Sequence, residues 1–185
     1  LSIDPFAGVA HVLSAVSTGG FSTYDDSLAG FGSDAAEILF ALLSLCGAVS
    51  LPLYYLTYMK GWRQLAADVE LPALFVAVAL VSMVLAFLFM ADGRPPGEAA
   101  FQGLMTGLFA QTTTGFSTLA VTHVGAGAKA AILLAMGVGG CIGSTAGGLK
   151  ILRFLIVLRL LRLSVQRTAT PSHAVVKTWL GDRRL

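Results

Sequence analysis

Charged residues are scarce in this sequence. Asp, Glu, Lys and Arg make up 12% of its 185 residues, while hydrophobic residues make up 56%. Soluble domains carry about 25% charged and about 45–50% apolar residues. The composition and the mean hydropathy of +0.80 therefore predict a membrane-embedded chain. The formal net charge of +2 is too small to indicate a nucleic-acid partner.

Cysteine and histidine are also rare, with two and three residues respectively. Cys46 and Cys141 lie far apart in apolar surroundings without the spacing of a metal site, so we predict that both are packing residues. His11, His123 and His173 have no carboxylate or cysteine partner at a spacing that suits catalysis. We expect no enzymatic activity, no catalytic residue and no cofactor, and we expect His11 to be a packed or hydrogen-bonded side chain.

Long apolar runs are present instead. A helix that crosses a bilayer needs about 20 apolar residues, and the run over 35–59 is long enough, with Pro52 as an expected kink. A second run covers 71–90. A third is interrupted by a glycine-rich segment, defined as residues 137–148, and resumes over 149–163. Basic residues follow the first run, and the resumed part of the third carries a basic run, which predicts that both lie on the cytoplasmic side.

Two further apolar segments, residues 4–16 and 98–110, are too short to cross a membrane. Each leads into a loop of Ser, Thr and Gly. We call the stretch STGGFST (17–23) the first loop and TTTGFST (112–118) the second loop. They align with an offset of 95 residues, so we predict a repeat in which a re-entrant half-helix, a loop and a span follow one another.

The two loops predict an ion path. Irregular backbone at membrane depth is tolerated only where it faces protein or a watery cavity. Glycine adopts positive φ at little cost, so successive carbonyl oxygens can replace the water around a cation. We predict that the backbone of these residues binds the ion: Thr18, Gly19, Gly20, Thr113, Thr114 and Gly115. Phe21 and Phe116 are expected to wedge the loops against neighbouring helices. The alternative is a pair of ordinary surface turns.

The glycine-rich segment contains six glycines among twelve residues, each costing a helix about 1 kcal/mol relative to Ala. We predict that the third run breaks there and forms an intramembrane gate from these residues: Gly139, Gly140, Gly143, Ser144, Thr145, Gly147, Gly148 and Lys150. The spacing of a phosphate-binding loop is not met. Close helix packing through glycines spaced four apart is an open alternative.

Three stretches resemble the Trk/Ktr/HKT superfamily of potassium transporters, and its bacterial TrkH branch most closely. They are the two loops and GGCIGSTAGGLKILR (139–153). The resemblance implies an all-α integral membrane fold in which four units of span, pore helix, filter loop and span surround one pore. It implies that residues 1–63 end one unit, that 64–167 form a complete unit with a broken second span, and that 168–185 form a cytoplasmic connection to a following unit.

The resemblance also implies a function. It is potassium uptake across the cell inner (cytoplasmic) membrane by a multi-pass, pore-forming subunit, with K+ held by loop carbonyls and gated by the glycine-rich segment. Membrane lipid, a cytosolic nucleotide-binding regulatory subunit and a second copy of the full-length protein are the implied partners. A Na+-coupled Ktr-type transporter and a structural membrane segment without conduction are the alternatives. Two loops cannot close a fourfold ring, so we interpret the chain as an excerpt of a longer polypeptide.

Overall fold

Helices make up most of the chain in the computed structural model, which describes residues 4–119, 124–169, 179–180 and 183–184. In chain order the elements are α1 (Pro5–Val16), a short 3-10 helix (Ser27–Phe31), α2 (Asp34–Ala48), α3 (Leu51–Lys60), α4 (Arg63–Ala67), α5 (Glu70–Ala91), α6 (Pro96–Gln111), α7 (Ala126–Gly137) and α8 (Ile151–Ala169). Two strands of two residues, β1 (Trp179–Leu180) and β2 (Arg183–Arg184), pair antiparallel near the C-terminus.

The predicted second span is confirmed. Helix α5 is 22 residues long with a mean hydropathy of 2.8, and it is the one continuous helix in the described ranges that is long and apolar enough to cross a membrane. The two short segments are also helices that end at the loops, as expected. Both begin with proline in the first turn, where the fixed φ suits a helix and the missing amide hydrogen is not needed.

The first predicted span differs from expectation. It consists of α2 and α3, which meet at an angle of 82° across a break at residues 49–50. Pro52 lies in the first turn of α3 rather than at a kink within one helix. The prediction of a single proline-kinked span is therefore wrong in its geometry. The backbone groups freed by the break form hydrogen bonds with the glycine-rich segment.

Helices α5 and α6 pack closely because α6 presents glycines to α5. A Cβ atom added at Gly103 would lie 2.6 Å from the amide nitrogen of Ala86, and one added at Gly107 would lie 2.9 Å from the Cα of Ser82. Such contacts between small residues let helix backbones approach each other in membrane proteins. The half-helix α6 is thus fixed against the span that precedes it.

The third span is broken as predicted: α7 ends at Gly137 and α8 begins at Ile151, continuing to Ala169. Of the two cysteines, Cys141 is buried as expected but Cys46 is exposed, so the packing prediction is wrong for Cys46. His123, His173 and most of the predicted connection over 168–185 lie outside the described residues.

Candidate pore loops and gate

The two loops share positive φ angles at two equivalent positions. Thr18 and Thr113 have φ angles of 51° and 56°, and Gly20 and Gly115 have φ angles of 69° and 80°. Each pair is separated by the offset of the sequence repeat. Positive φ is expected for glycine but is unusual for a β-branched residue. The sequence repeat is therefore also a repeat of a particular backbone geometry.

The hydrogen bonds that lead into the loops repeat as well. The amide of Thr18 donates to the carbonyl of Ala15, and the amide of Thr113 donates to the carbonyl of Ala110, both at 3.0 Å. These bonds tighten the last turns of α1 and α6. The C-terminal end of a helix carries partial negative charge. Because α1 and α6 both end at their loops, this charge favours a cation near each loop.

The two loops meet at Gly20. A Cβ atom added there would overlap with the carbonyl oxygen of Thr114, so only glycine fits this approach. Gly115 has more room within this chain, because the nearest atom to an added Cβ is the Met136 methyl carbon at 3.8 Å. In the first loop, the Cβ position of Gly19 lies 3.1 Å from the Phe21 ring. The structure thus brings the predicted ion-binding stretches side by side.

Threonine side chains hold the second loop from within. The hydroxyl oxygens of Thr112 and Thr114 lie 2.9 Å apart, and both side chains are buried. Thr112 Oγ1 also donates to the carbonyl of Leu108 at 2.8 Å. Next to them, the buried Gln111 donates from its side-chain amide to the carbonyl of Val138 at the start of the glycine-rich segment.

The second loop is also joined to the segment that follows the first. The amide of Leu28 donates to the carbonyl of Ser117 at 3.1 Å, and the amide of Ser117 donates to the hydroxyl of Ser27 at 3.1 Å. These bonds connect the loop exit of one predicted unit to the 3-10 helix of the unit before it. The two units are therefore linked through backbone groups as well as through side-chain packing.

The two phenylalanines that follow the loops have different surroundings. Phe116 is 4% exposed and lies in a core with Phe40, Phe109 and Met105. Phe21 is 81% exposed, so the predicted wedge is confirmed for Phe116, whereas the described residues form no such packing around Phe21. His11, which was expected to be packed or hydrogen-bonded, is fully buried behind the first loop.

The glycine-rich segment contacts both loops at their equivalent threonines. Thr145 Oγ1 lies 3.3 Å from Thr18 Oγ1 and 3.0 Å from the carbonyl oxygen of Val16. The amide of Gly147 donates to Thr113 Oγ1 at 2.6 Å. The predicted gate residues and the predicted filter residues are thus in direct hydrogen-bond contact.

The same segment fills the break between α2 and α3. The amides of Thr145 and Cys141 donate to the carbonyls of Gly47 (3.1 Å) and Ala48 (2.9 Å), which end α2. In return, the amide of Leu51 donates to the carbonyl of Gly143 at 3.1 Å. Since unpaired backbone groups at membrane depth are costly, the two breaks in the helices satisfy each other's hydrogen bonds.

Within the segment, glycines adopt conformations that other residues avoid. Gly140, Gly143 and Gly148 have φ angles of 57°, 74° and 69°. The remaining predicted gate residues take part in local contacts. A Cβ at Gly139 would overlap the Thr113 methyl, Ser144 Oγ donates to the Cys141 carbonyl at 2.7 Å, and Lys150 Nζ donates to the Ala146 carbonyl. Close packing and a helix break therefore coexist here.

Oxygen atoms dominate the chemistry of this region. Among the described residues, no group of three or more His, Cys, Asp or Glu side chains is placed to hold a metal ion. The groups that the loops offer are backbone carbonyls and threonine hydroxyls. Such oxygens replace the hydration shell of monovalent cations in ion-selective pores.

Comparisons with known proteins agree with this geometry. Residues 3–185 match the family model described as TrkH, cation transport protein. The chain is 32% identical to the Trk system potassium uptake protein TrkI of Halomonas elongata, over 86% of this chain and 33% of that protein. It is 27% identical to the Trk system potassium uptake protein TrkH of Escherichia coli K12, over 99% of this chain and 38% of that protein.

A solved structure is similar over the whole chain. The crystal structure of the potassium transporter TrkH from Vibrio parahaemolyticus superposes with a TM-score of 0.91 at 26% identity, and it covers 100% of this chain and 40% of that one. The chain thus spans 33–40% of the length of these proteins. The matches confirm the predicted helical membrane fold, and the family description is that of a transporter rather than an enzyme.

Proposed function

Because this chain belongs to the TrkH family of cation transport proteins, we propose that it forms part of the potassium-conducting pore of a Trk-type uptake system. The relatives described above carry names that specify potassium uptake or transport. The single observation that carries the proposal is the pair of loops with equal backbone geometry, which approach each other at Gly20 and the Thr114 carbonyl.

The ion is held in this proposal by backbone carbonyls of the two loops, from Thr18 to Gly20 and from Thr113 to Gly115. Two features support this assignment. The positive φ angles at the first and third position of each stretch turn successive peptide groups in a way that ordinary helix or strand does not. Both loops also follow the C-terminal ends of short helices, where partial negative charge favours a cation.

Residues 1–63 are proposed to end one pore unit, residues 64–167 to form a complete unit, and residues 168–185 to connect to the next. Four such loops surround the pore in the full-length protein. The match to only 40% of a solved TrkH chain supports this arrangement, as do the hydrogen bonds between the exit of the second loop and Ser27 and Leu28.

The glycine-rich segment is the proposed gate. Its contacts with Thr18, Val16 and Thr113 support a position in which it obstructs the cytoplasmic side of the loops. Rearrangement of this segment then opens the path, since glycines with positive φ permit alternative backbone conformations. Lys150 directly precedes α8 and is part of the proposed gate, because its side chain donates to the Ala146 carbonyl.

The protein is proposed to be a multi-pass component of the inner (cytoplasmic) membrane, with the basic ends of α3 and α8 in the cytoplasm. Family membership supports a cytosolic nucleotide-binding regulatory subunit and a homodimer of the full-length protein as partners. A Na+-coupled Ktr-type transporter is the second candidate among transporters. A structural segment without conduction is the candidate outside that class.

The test compares two glycine substitutions in the full-length parent protein, expressed in a host that lacks its own potassium transport. Gly115 and Gly93 have φ angles of 80° and 91°, and within the described part of the chain no atom beyond their chain neighbours comes nearer to either Cβ position than the Met136 methyl carbon, 3.8 Å from that of Gly115. We expect Gly115→Ser to lower the ratio of K+ to Na+ uptake about tenfold, because it distorts a filter loop. Gly93→Ser introduces similar backbone strain in an external turn and should leave the ratio unchanged.

Protein level in the membrane is measured for each variant. If both substitutions reduce protein level and neither changes the uptake ratio, the glycines act in packing alone and the structural alternative is supported. Dependence of K+ uptake on external Na+ in the unchanged parent would favour the Ktr-type alternative.

A further inference from the structure

We infer that His11 is a positioning residue for ion selectivity, which fixes the exit of the first loop through Ser22. The inference rests on the proposed function, since it assigns a further residue to the same filter. His11 lies on α1, six residues before the first loop begins, and none of its side chain is exposed. Among the described residues, no hydrogen bond joins its side chain to Thr114 or to the glycine-rich segment, so its effect on the ion is indirect.

Hydrogen bonds define the state of the His11 ring. Nδ1 lies 2.7 Å from the carbonyl oxygen of Ala7, which can only accept, so Nδ1 carries the hydrogen. In the neutral ring, Nε2 then accepts from the hydroxyl of Ser22 at 2.9 Å. The oxygen of Ser22 in turn accepts from the amide of Tyr24 at 3.0 Å. This chain of three bonds runs from the backbone of α1 to the backbone after the first loop.

Aromatic rings enclose the His11 ring. Its centroid lies 4.7 Å from that of Phe31 in an edge-on arrangement and 5.9 Å from that of Phe116, with interplanar angles of 86° and 21°. Tyr24 and Phe40 lie at 5.9 and 5.6 Å. Phe116 belongs to the second loop, so the ring that braces the first loop also packs against the second. Such packing locks the rotamer of the side chain that supports a site.

The brace is specific to the first loop. The two loops are offset by 95 residues, so the position equivalent to His11 in the second copy is Thr106. The residue equivalent to Ser22 is Ser117, whose hydroxyl interacts with Leu119 nearby in the chain and whose amide bonds to Ser27. The second loop is therefore held by other means, and position 106 provides a matched control.

Ser22 lies two residues after Gly20, which approaches the Thr114 carbonyl. If the Ser22 hydroxyl loses its acceptor at His11, the backbone after Gly20 is less constrained, and we expect the spacing of the two loops to change. A small displacement matters here, because ion discrimination depends on the arrangement of the coordinating carbonyls.

The experiment measures K+ and Na+ uptake by the full-length parent in a potassium-transport-deficient host, at matched protein levels. His11→Phe keeps an aromatic ring but removes both ring nitrogens, and Ser22→Ala removes the partner hydroxyl. Both substitutions remove the His11–Ser22 bond, and we expect each to lower the K+/Na+ ratio about fivefold, as for loss of this shared hydrogen bond. The double variant, His11→Phe with Ser22→Ala, should show no further loss of the ratio. His11→Gln should restore part of the ratio, and Thr106→Val should have the same ratio as the parent.

An unchanged ratio in His11→Phe at normal protein level would overturn the inference. If His11→Phe does not reach the membrane, Ser22→Ala decides, and parental selectivity in that variant overturns the inference equally. A parent protein without potassium uptake would instead overturn the proposed function, and with it this role for His11.

Discussion

At the scale of single residues, the two threonines with positive φ are the most informative feature. Thr18 and Thr113 adopt a conformation that β-branched residues avoid, at a cost of about 1–3 kcal/mol each. Both are held by contacts of their hydroxyls. Thr18 Oγ1 donates to the Ser17 carbonyl at 2.7 Å, and Thr113 Oγ1 accepts from Gly147. The recurrence of the same strained geometry at equivalent positions indicates a shared functional constraint.

Gly20 offers a prediction about steric fit rather than backbone conformation. We expect Gly20→Ala to abolish potassium uptake in the full-length parent, because the added methyl collides with the Thr114 carbonyl and forces the loops apart. Gly32→Ala is the control, since its φ of 56° is also positive but no described residue other than its chain neighbours has an atom within 4 Å of its Cβ position. Uptake assays at matched protein level test this, and equal uptake by the two variants would contradict a close approach of the loops at Gly20.

At the scale of elements, the two helix breaks depend on each other. The α2–α3 break exposes the carbonyls of Gly47 and Ala48, and the glycine-rich segment supplies the amides of Thr145 and Cys141 to pair with them. Neither break would be tolerated in a membrane without the other. Movement of the glycine-rich segment must therefore exchange these bonds for others, which couples the proposed gate to the bend between α2 and α3.

Thr145 provides the test of the gate. We expect Thr145→Val to raise the resting potassium flux of the full-length protein about three- to tenfold, because it removes the hydroxyl that contacts Thr18 and Val16 while keeping the β-branched shape. Thr57→Val is the control, since the hydroxyl of Thr57 bonds to the Leu53 carbonyl at 2.8 Å within α3 and to neither the loops nor the glycine-rich segment among the described residues. A flux in Thr145→Val no higher than in Thr57→Val would remove the support for a closed gate at this contact.

At the scale of the whole molecule, the sequence predicts most elements but not their relations. Apolar runs mark α5, and six glycines mark the break before α8, because these signals are local. The 82° bend at residues 49–50 was not predictable, because its backbone partners come from residues about ninety positions away. The brace between His11 and Ser22 was missed for a related reason: its partner and its aromatic surroundings come from separate segments. The repeated loop motif predicts the region in which the two loops and the glycine-rich segment contact each other.

The contrast between Phe21 and Phe116 leads to a prediction about the full-length protein. Phe116 packs against the rings of His11 and Phe40, which belong to the preceding unit in the proposed arrangement. If the units are related by rotation about the pore, Phe21 occupies the equivalent place against a unit before it, although it is 81% exposed here. Burial of a phenylalanine contributes about 3–5 kcal/mol when measured by substitution with alanine.

We therefore expect Phe21→Ala and Phe116→Ala to lower the melting temperature of the full-length protein in detergent by similar amounts. Phe87→Ala is the control, because Phe87 is 66% exposed on the span α5 and lies outside the repeated loops, so its loss should have a smaller effect. A melting temperature for Phe21→Ala as high as that for Phe87→Ala would mean that nothing covers Phe21. In that case the rotational arrangement of pore units would have to be abandoned, even though the two loops share their backbone geometry.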